Sequence, residues 1–101
     1  MYGLSEKTIA AIQGVLKAYP GIEKAILYGS RAKGNFRNGS DIDLVLVGEK
    51  LTLSDQFKIE TDLDDLLLPY KIDLALYHLI DNKDLIEHID RVGVFFFKNR
   101  D

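Results

Sequence analysis

The segment YGSRAKGNFRNGSDIDLVLV, residues 28–47, concentrates the residue types that could do chemistry. Gly29 and Ser30 are small residues ahead of a polar stretch that could open a short helix, and free backbone N–H groups at such an opening bind phosphate. Gly29 has no side chain to obstruct an approaching phosphate, and the Ser30 hydroxyl can donate to one of its oxygens. Arg31, Lys33 and Arg37 add three cations and no acid within seven residues. Of Arg31 and Lys33, Arg31 is the better phosphate partner, because its planar fork engages oxygens in pairs. Read alone, the same residues also make an ordinary loop, with Ser30 as a helix cap and solvated cations.

The aspartates weigh against the ordinary loop. Alternate side chains of a strand share a face, so Asp41 and Asp43 point one way while Ile42, Leu44 and Leu46 point the other. Both carboxylates can then reach one cation. Mg²⁺ suits this arrangement, taking one or two carboxylates and completing its shell with water and substrate phosphate oxygens. A polar strand entry would explain one aspartate, but two on one face repel unless a cation or solvent screens them. Asp73 lies inside the apolar run KIDLALY, where burial and strand propensity both disfavour an acid. It could join the pair as ligand of a second metal, or take the proton from an attacking hydroxyl. As an exposed charge it would instead keep an edge strand from pairing with other chains.

The surrounding pattern predicts the elements that position these residues. SEKTIAAIQGVLKAY places Ile9, Ile12, Val15, Leu16 and Tyr19 on one helical stripe, with Ser5 as N-cap and Pro20–Gly21 as the stop. IEKAILY, ending at Tyr28, reads as a buried strand, and a second strand runs from Asp41 to Val47. A helix from about Thr52 to Leu67 carries Phe57, Leu63, Leu66 and Leu67, and its acidic run ETDLDDLL reads as a solvated face. A third strand spans Lys71 to Tyr77, and a helix from about Asn82 to Val92 buries Leu85, Ile86, Ile89 and Val92 ahead of a Gly93 cap. Val94 to Phe97 reads first as a core strand, and second as contact area for an oligomer or a partner. The order predicts a small α/β sheet with helices packed on it.

Composition narrows the function classes. The 101 residues fit one domain, and no apolar run is long enough to span a bilayer or act as a secretory signal, so the expectation is a cytoplasmic protein. Without cysteine there are no disulfides, thiolate metal sites or cysteine nucleophiles. A net charge of −3 argues against a broad nucleic-acid surface, so any positive charge that matters is local. His78 and His88 lack metal-like spacing and receive no role.

Gly29–Ser30, ten intervening residues, Asp41, one residue, Asp43 and a later strand aspartate together resemble the signature of the polymerase-β-like nucleotidyltransferase superfamily. The order of elements agrees along nearly the whole chain, and the short length resembles the minimal nucleotidyltransferase (MNT) domains of prokaryotes. The resemblance implies a mixed-sheet nucleotidyltransferase fold, with Gly29 and Ser30 holding a triphosphate. It implies two Mg²⁺ ions on Asp41 and Asp43, and Asp73 as third catalytic carboxylate. The activity would move a nucleoside monophosphate, AMP from ATP, onto a hydroxyl. The expectation is that the acceptor domain of larger relatives is absent from this chain. The resemblance therefore implies a separately encoded helical partner of HEPN or substrate-binding type, with this chain as the antitoxin that places AMP on it. The rival readings are an interaction module that neutralises a partner by binding, and a transferase acting on a small molecule.

Overall fold

The structure, a computed structural model, describes residues 1–99. Helix α1, Glu6–Lys17, starts where the Ser5 side chain accepts the Thr8 N–H, and it buries Ile12 and Leu16 one turn apart. Strand β1, Lys24–Tyr28, runs directly into the short helix α2, Gly29–Lys33. Strand β2 is Ile42–Val47, helix α3 Leu53–Asp64 and strand β3 Ile72–Leu76. A 3₁₀ turn, Tyr77–Leu79, leads to helix α4, Lys83–Val92, which Asn82 caps, and to strand β4, Val94–Lys98. Among the described residues no helix is long and apolar enough to cross a membrane.

The strands form one sheet in the order β3-β2-β1-β4. β1 pairs antiparallel with both β2 and β4, whereas β2 and β3 run parallel, joined by the α3 crossover, so the sheet is mixed. Period-two alternation sorts the strands into two faces. Ala25, Leu27, Ile42, Leu44, Leu46, Leu74 and Leu76 pack with Ile12, Leu16, Ile59 and Leu63 of α1 and α3 to form the core. The opposite face carries Tyr28, Asp43 and Asp73, and there α2 and α4 pack against the sheet beside β1.

The chemistry-bearing face is therefore the less covered one, an arrangement that the alternation in IDLVLV predicts. Of Leu85, Ile86, Ile89 and Val92, expected to be buried by α4, only Ile89 is fully buried, and two expectations for α3 change as well. The apolar face of α3 is Ile59 and Leu63 rather than one that includes Phe57, which is 70% exposed. Phe57 stands two residues from Ile59, about 200° around the helix, so both cannot face the core. Leu67 leaves that helix altogether: α3 ends at Asp64, and Leu67 takes a left-handed φ of 55° and is 88% exposed. In β4, Phe96 is buried and Phe95 exposed, with an irregularity in pairing opposite Ala25 and Ile26. The phenylalanine run is thus a sheet strand that divides its side chains between the faces.

Candidate active site

Parallel pairing of β2 with β3 sets Asp43 beside Asp73 on the same face. Asp41 lies one residue ahead of β2, exposed, with the next residue, Ile42, donating its N–H to the Lys71 carbonyl at 2.9 Å. Burial first, then the charges of Asp73 and Asp41, and then a hydrogen bond with Asp73, push the Asp43 carboxyl up to about 6. Three acids in this neighbourhood make ionisation of the central one costly. The Tyr28 hydroxyl on the adjoining strand is likewise raised, by burial and then by Asp43 and Asp73. Lys71 offers partial relief, its Nζ 3.6 Å from an Asp73 oxygen, but both side chains are largely solvated.

Gly29 meets Asp43 from the other side. Its φ is +74°, and a Cβ there would run into the Asp43 carboxylate. Glycine is therefore required on both counts, and it brings the start of α2 directly over the carboxylates. Ser30 follows as the next residue of α2, with its side chain partly exposed. The strand-to-helix turn and the carboxylates thus share one site, although they come from separate elements.

Arg31 does not extend into this site. Its side chain is only 2% exposed, with Nε and Nη2 donating to the Ser40 carbonyl at 3.1 and 2.9 Å and Nη1 donating to the Tyr2 carbonyl at 2.8 Å. The guanidinium lies 4.8 Å from the Tyr70 ring centre and 5.3 Å from that of Phe36. The expectation that Arg31 binds phosphate is corrected accordingly: each of its three guanidinium nitrogens already donates to a backbone carbonyl, and it acts as a pin for the loop that delivers Asp41. That loop is further closed by Ser40, whose hydroxyl accepts the Arg37 N–H at 2.8 Å. Lys33 is exposed at the end of α2 and Arg37 is exposed in the loop.

Among the described residues no three acidic, His or Cys side chains converge closely enough to hold a metal ion by themselves. Asp41, Asp43 and Asp73 are consequently not a ready-made three-ligand cage. The donor set still suits Mg²⁺, whose sites take one or two carboxylates and leave the remaining positions to water and substrate oxygens. The raised Asp43 carboxyl fits as well, since a divalent cation would relieve the repulsion that raises it.

His88 is a member of this neighbourhood that spacing along the chain does not reveal. From α4 its Nε2 accepts the Gly29 N–H at 3.3 Å, and its ring meets Tyr28 edge to face, with centroids 6.1 Å apart. His78 donates from Nε2 to the Leu51 carbonyl, 3.0 Å away, a structural contact.

A profile of the polymerase beta nucleotidyltransferase family matches residues 10–101. The chain belongs to that family. No curated protein matches it. Among solved structures it is similar to a chain of a toxin–antitoxin complex with AMP-PNP, at 19% identity and a TM-score of 0.72, covering 96% of this chain and 76% of the other. It is similar to a chain of the MntA–HepT toxin–antitoxin, at 16% identity and a TM-score of 0.70, covering 94% and 74%. It also resembles a chain of the tri-AMPylated Shewanella oneidensis HEPN toxin in complex with MNT antitoxin, at 17% identity and a TM-score of 0.70, covering 98% and 74%. At these identities the likeness carries the fold.

Proposed function

We propose that this chain is a Mg²⁺-dependent nucleotidyltransferase that moves AMP from ATP to a hydroxyl of a helical partner protein, as the antitoxin of a HEPN-type pair. The observation that carries the reading is the in-register pair Asp43 and Asp73 beneath the Gly29–Ser30 turn, in a chain of the nucleotidyltransferase family. The AMP-PNP complex and the AMPylated HEPN toxin among the structural neighbours support ATP as donor and a protein as acceptor. The acidic net charge favours a partner whose acceptor hydroxyl lies in a basic setting.

The proposed reaction is an in-line displacement: the acceptor oxygen forms a bond to the α-phosphorus, the bond from that phosphorus to the α,β-bridging oxygen breaks, and pyrophosphate leaves. Asp73 would accept the hydroxyl proton, with the Lys71 Nζ 3.6 Å from one of its oxygens. Asp41 and Asp43 would hold the divalent ions, with Asp73 supporting the second. When bound, those ions supply positive charge against the triphosphate and the departing pyrophosphate. The Ser30 hydroxyl and the turn amides that follow Gly29, whose own N–H goes to His88, would donate to the phosphate oxygens from the opposite side and fix the nucleotide for attack.

Intact-protein mass spectrometry tests the whole reading. The chain, incubated with Mg²⁺, ATP and the proposed helical partner, should give that partner a mass increase of one or more AMP units. The increase should disappear with Asp41→Ala plus Asp43→Ala. A partner silenced without any mass change, and equally well by that double variant, would establish an interaction module instead.

A further inference from the structure

The start of α2 lacks a cap of its own. Its N-cap residue, Tyr28, makes no side-chain hydrogen bond to the helix, and five residues are too few for a helix to hold itself. An N–H at this opening needs an acceptor. At Gly29 the acceptor comes from a distant element, His88 of α4, whose Nε2 takes the N–H at 3.3 Å. Accepting there puts the proton of the neutral ring on Nδ1. The ring is steadied by Tyr28, edge to face at 81°, and α4 packs against α2 around it. Gly29 is thereby held between His88 and the Asp43 carboxylate.

The chemical type of this cap matters for what the turn can bind. Helix openings are ordinarily capped by Ser, Thr, Asp or Asn, and an Asp in the place of His88 would add a full negative charge beside the phosphates that the turn is read to bind. An imidazole satisfies the amide and adds no negative charge to a site that already holds three carboxylates. We infer that His88 is a positioning residue of the nucleotide site, a neutral cap that fixes the Gly29 turn in its phosphate-accepting shape. The inference rests on the nucleotide-binding reading above, and it adds α4 to the elements that build the site.

Three substitutions separate the acceptor from its charge and from mere packing. His88→Gln keeps a neutral acceptor at about the same reach, His88→Leu removes it, and His88→Glu keeps it but charges it. Each is compared with the wild-type chain in two measurements: amide hydrogen exchange at Gly29 by NMR in the free protein, and calorimetric affinity for AMP-PNP with Mg²⁺. His88→Gln should retain Gly29 protection and bind within about threefold of wild type, whereas His88→Leu should lose protection and bind about tenfold more weakly. His88→Glu should keep protection and yet bind at least about tenfold more weakly than His88→Gln, a gap that narrows in high salt. Wild-type affinity and protection in His88→Leu would overturn the inference, and so would equal weakening in Gln and Leu. If His88→Leu fails to fold, the Gln–Glu comparison still decides, since those two differ in charge alone. Absence of AMP-PNP binding by the wild-type chain would instead defeat the nucleotide reading, and Gly29 exchange would still report whether His88 caps the turn.

Discussion

Replacing Asp43 by Asn should make the free protein more stable while disabling it. The substitution is isosteric, so the change is one of charge. Asp43 titrates at about 6 in the folded chain against 3.8 ordinarily, a difference of about 2 units, because burial and then Asp73 and Asp41 oppose its ionised form. At about 1.4 kcal/mol per unit this is roughly 3 kcal/mol, and solvent screening at a partly exposed carboxyl reduces it to about 1 kcal/mol. The folded state binds the proton more tightly than the unfolded chain, so this penalty is fully present above pH 6. It is relieved as pH falls through 6 and is gone below about 3.8. Asp43→Asn should therefore raise Tm at pH 7.5 by about 4–8 °C, with the gain shrinking towards pH 4.5. Thermal melts followed by circular dichroism at both pH values measure it. A variant less stable than wild type at pH 7.5, or a gain of the same size at both pH values, would refute the electrostatic account of this site.

Asp73→Asn should bind Mg²⁺–ATP nearly as well as wild type but turn over at least about a hundredfold more slowly at saturating nucleotide; near-normal turnover would return Asp73 to an edge-strand role. Arg31→Lys should lose the fork on Ser40 and the bond to Tyr2 and lower stability by about 2–4 kcal/mol in urea denaturation. Unchanged stability with lost AMP-PNP affinity would restore Arg31 as a phosphate contact. Chelation should abolish nucleotide binding, because carboxylates and a polyphosphate repel without a cation between them; equal affinity in Mg²⁺ and EDTA by calorimetry would remove the metal assignment.

What the sequence made legible was local. The alternation of Ile42, Asp43 and Leu44 determines which side of β2 is apolar, Ser5 and Asn82 mark helix starts through bonds made within a few residues, and Pro20 marks a helix end by lacking an N–H. The fates of Phe57, Arg31 and His88 were set by contacts between distant segments. Phe57 follows a helical period as well as Ile59 does, and only the docking of α3 on the sheet selects Ile59. Arg31 is drawn inward by the Tyr2 carbonyl and the Tyr70 ring, from distant segments before and after it in the chain, neither of which leaves a trace in the spacing around residue 31. His88 reaches Gly29 across fifty-nine positions. Asp73 stood between these cases: its oddity inside an apolar strand was visible, but its neighbour depended on β3 lying parallel beside β2.

The burial of Arg31 changes the charge balance of the whole site. Of the three cations between residues 28 and 47, the one best shaped for phosphate is committed to two backbone carbonyls, leaving Lys33 and Arg37 on the surface. Opposite them stand Asp41, Asp43 and Asp73, with Lys71 the cation nearest the last of these. A nucleoside triphosphate adds several more negative charges to a site whose central carboxyl is already pushed to about 6. In the proposed site the turn amides and the Ser30 hydroxyl would orient phosphate through partial charges, and these cannot neutralise it. On the proposed reading, the missing positive charge arrives with the nucleotide as divalent metal. In this arrangement Arg31 and His88 serve the site indirectly, one holding the loop that presents Asp41 and the other holding the turn above Asp43. The protein's fixed groups set geometry, and its carboxylates stay costly until metal and nucleotide come together.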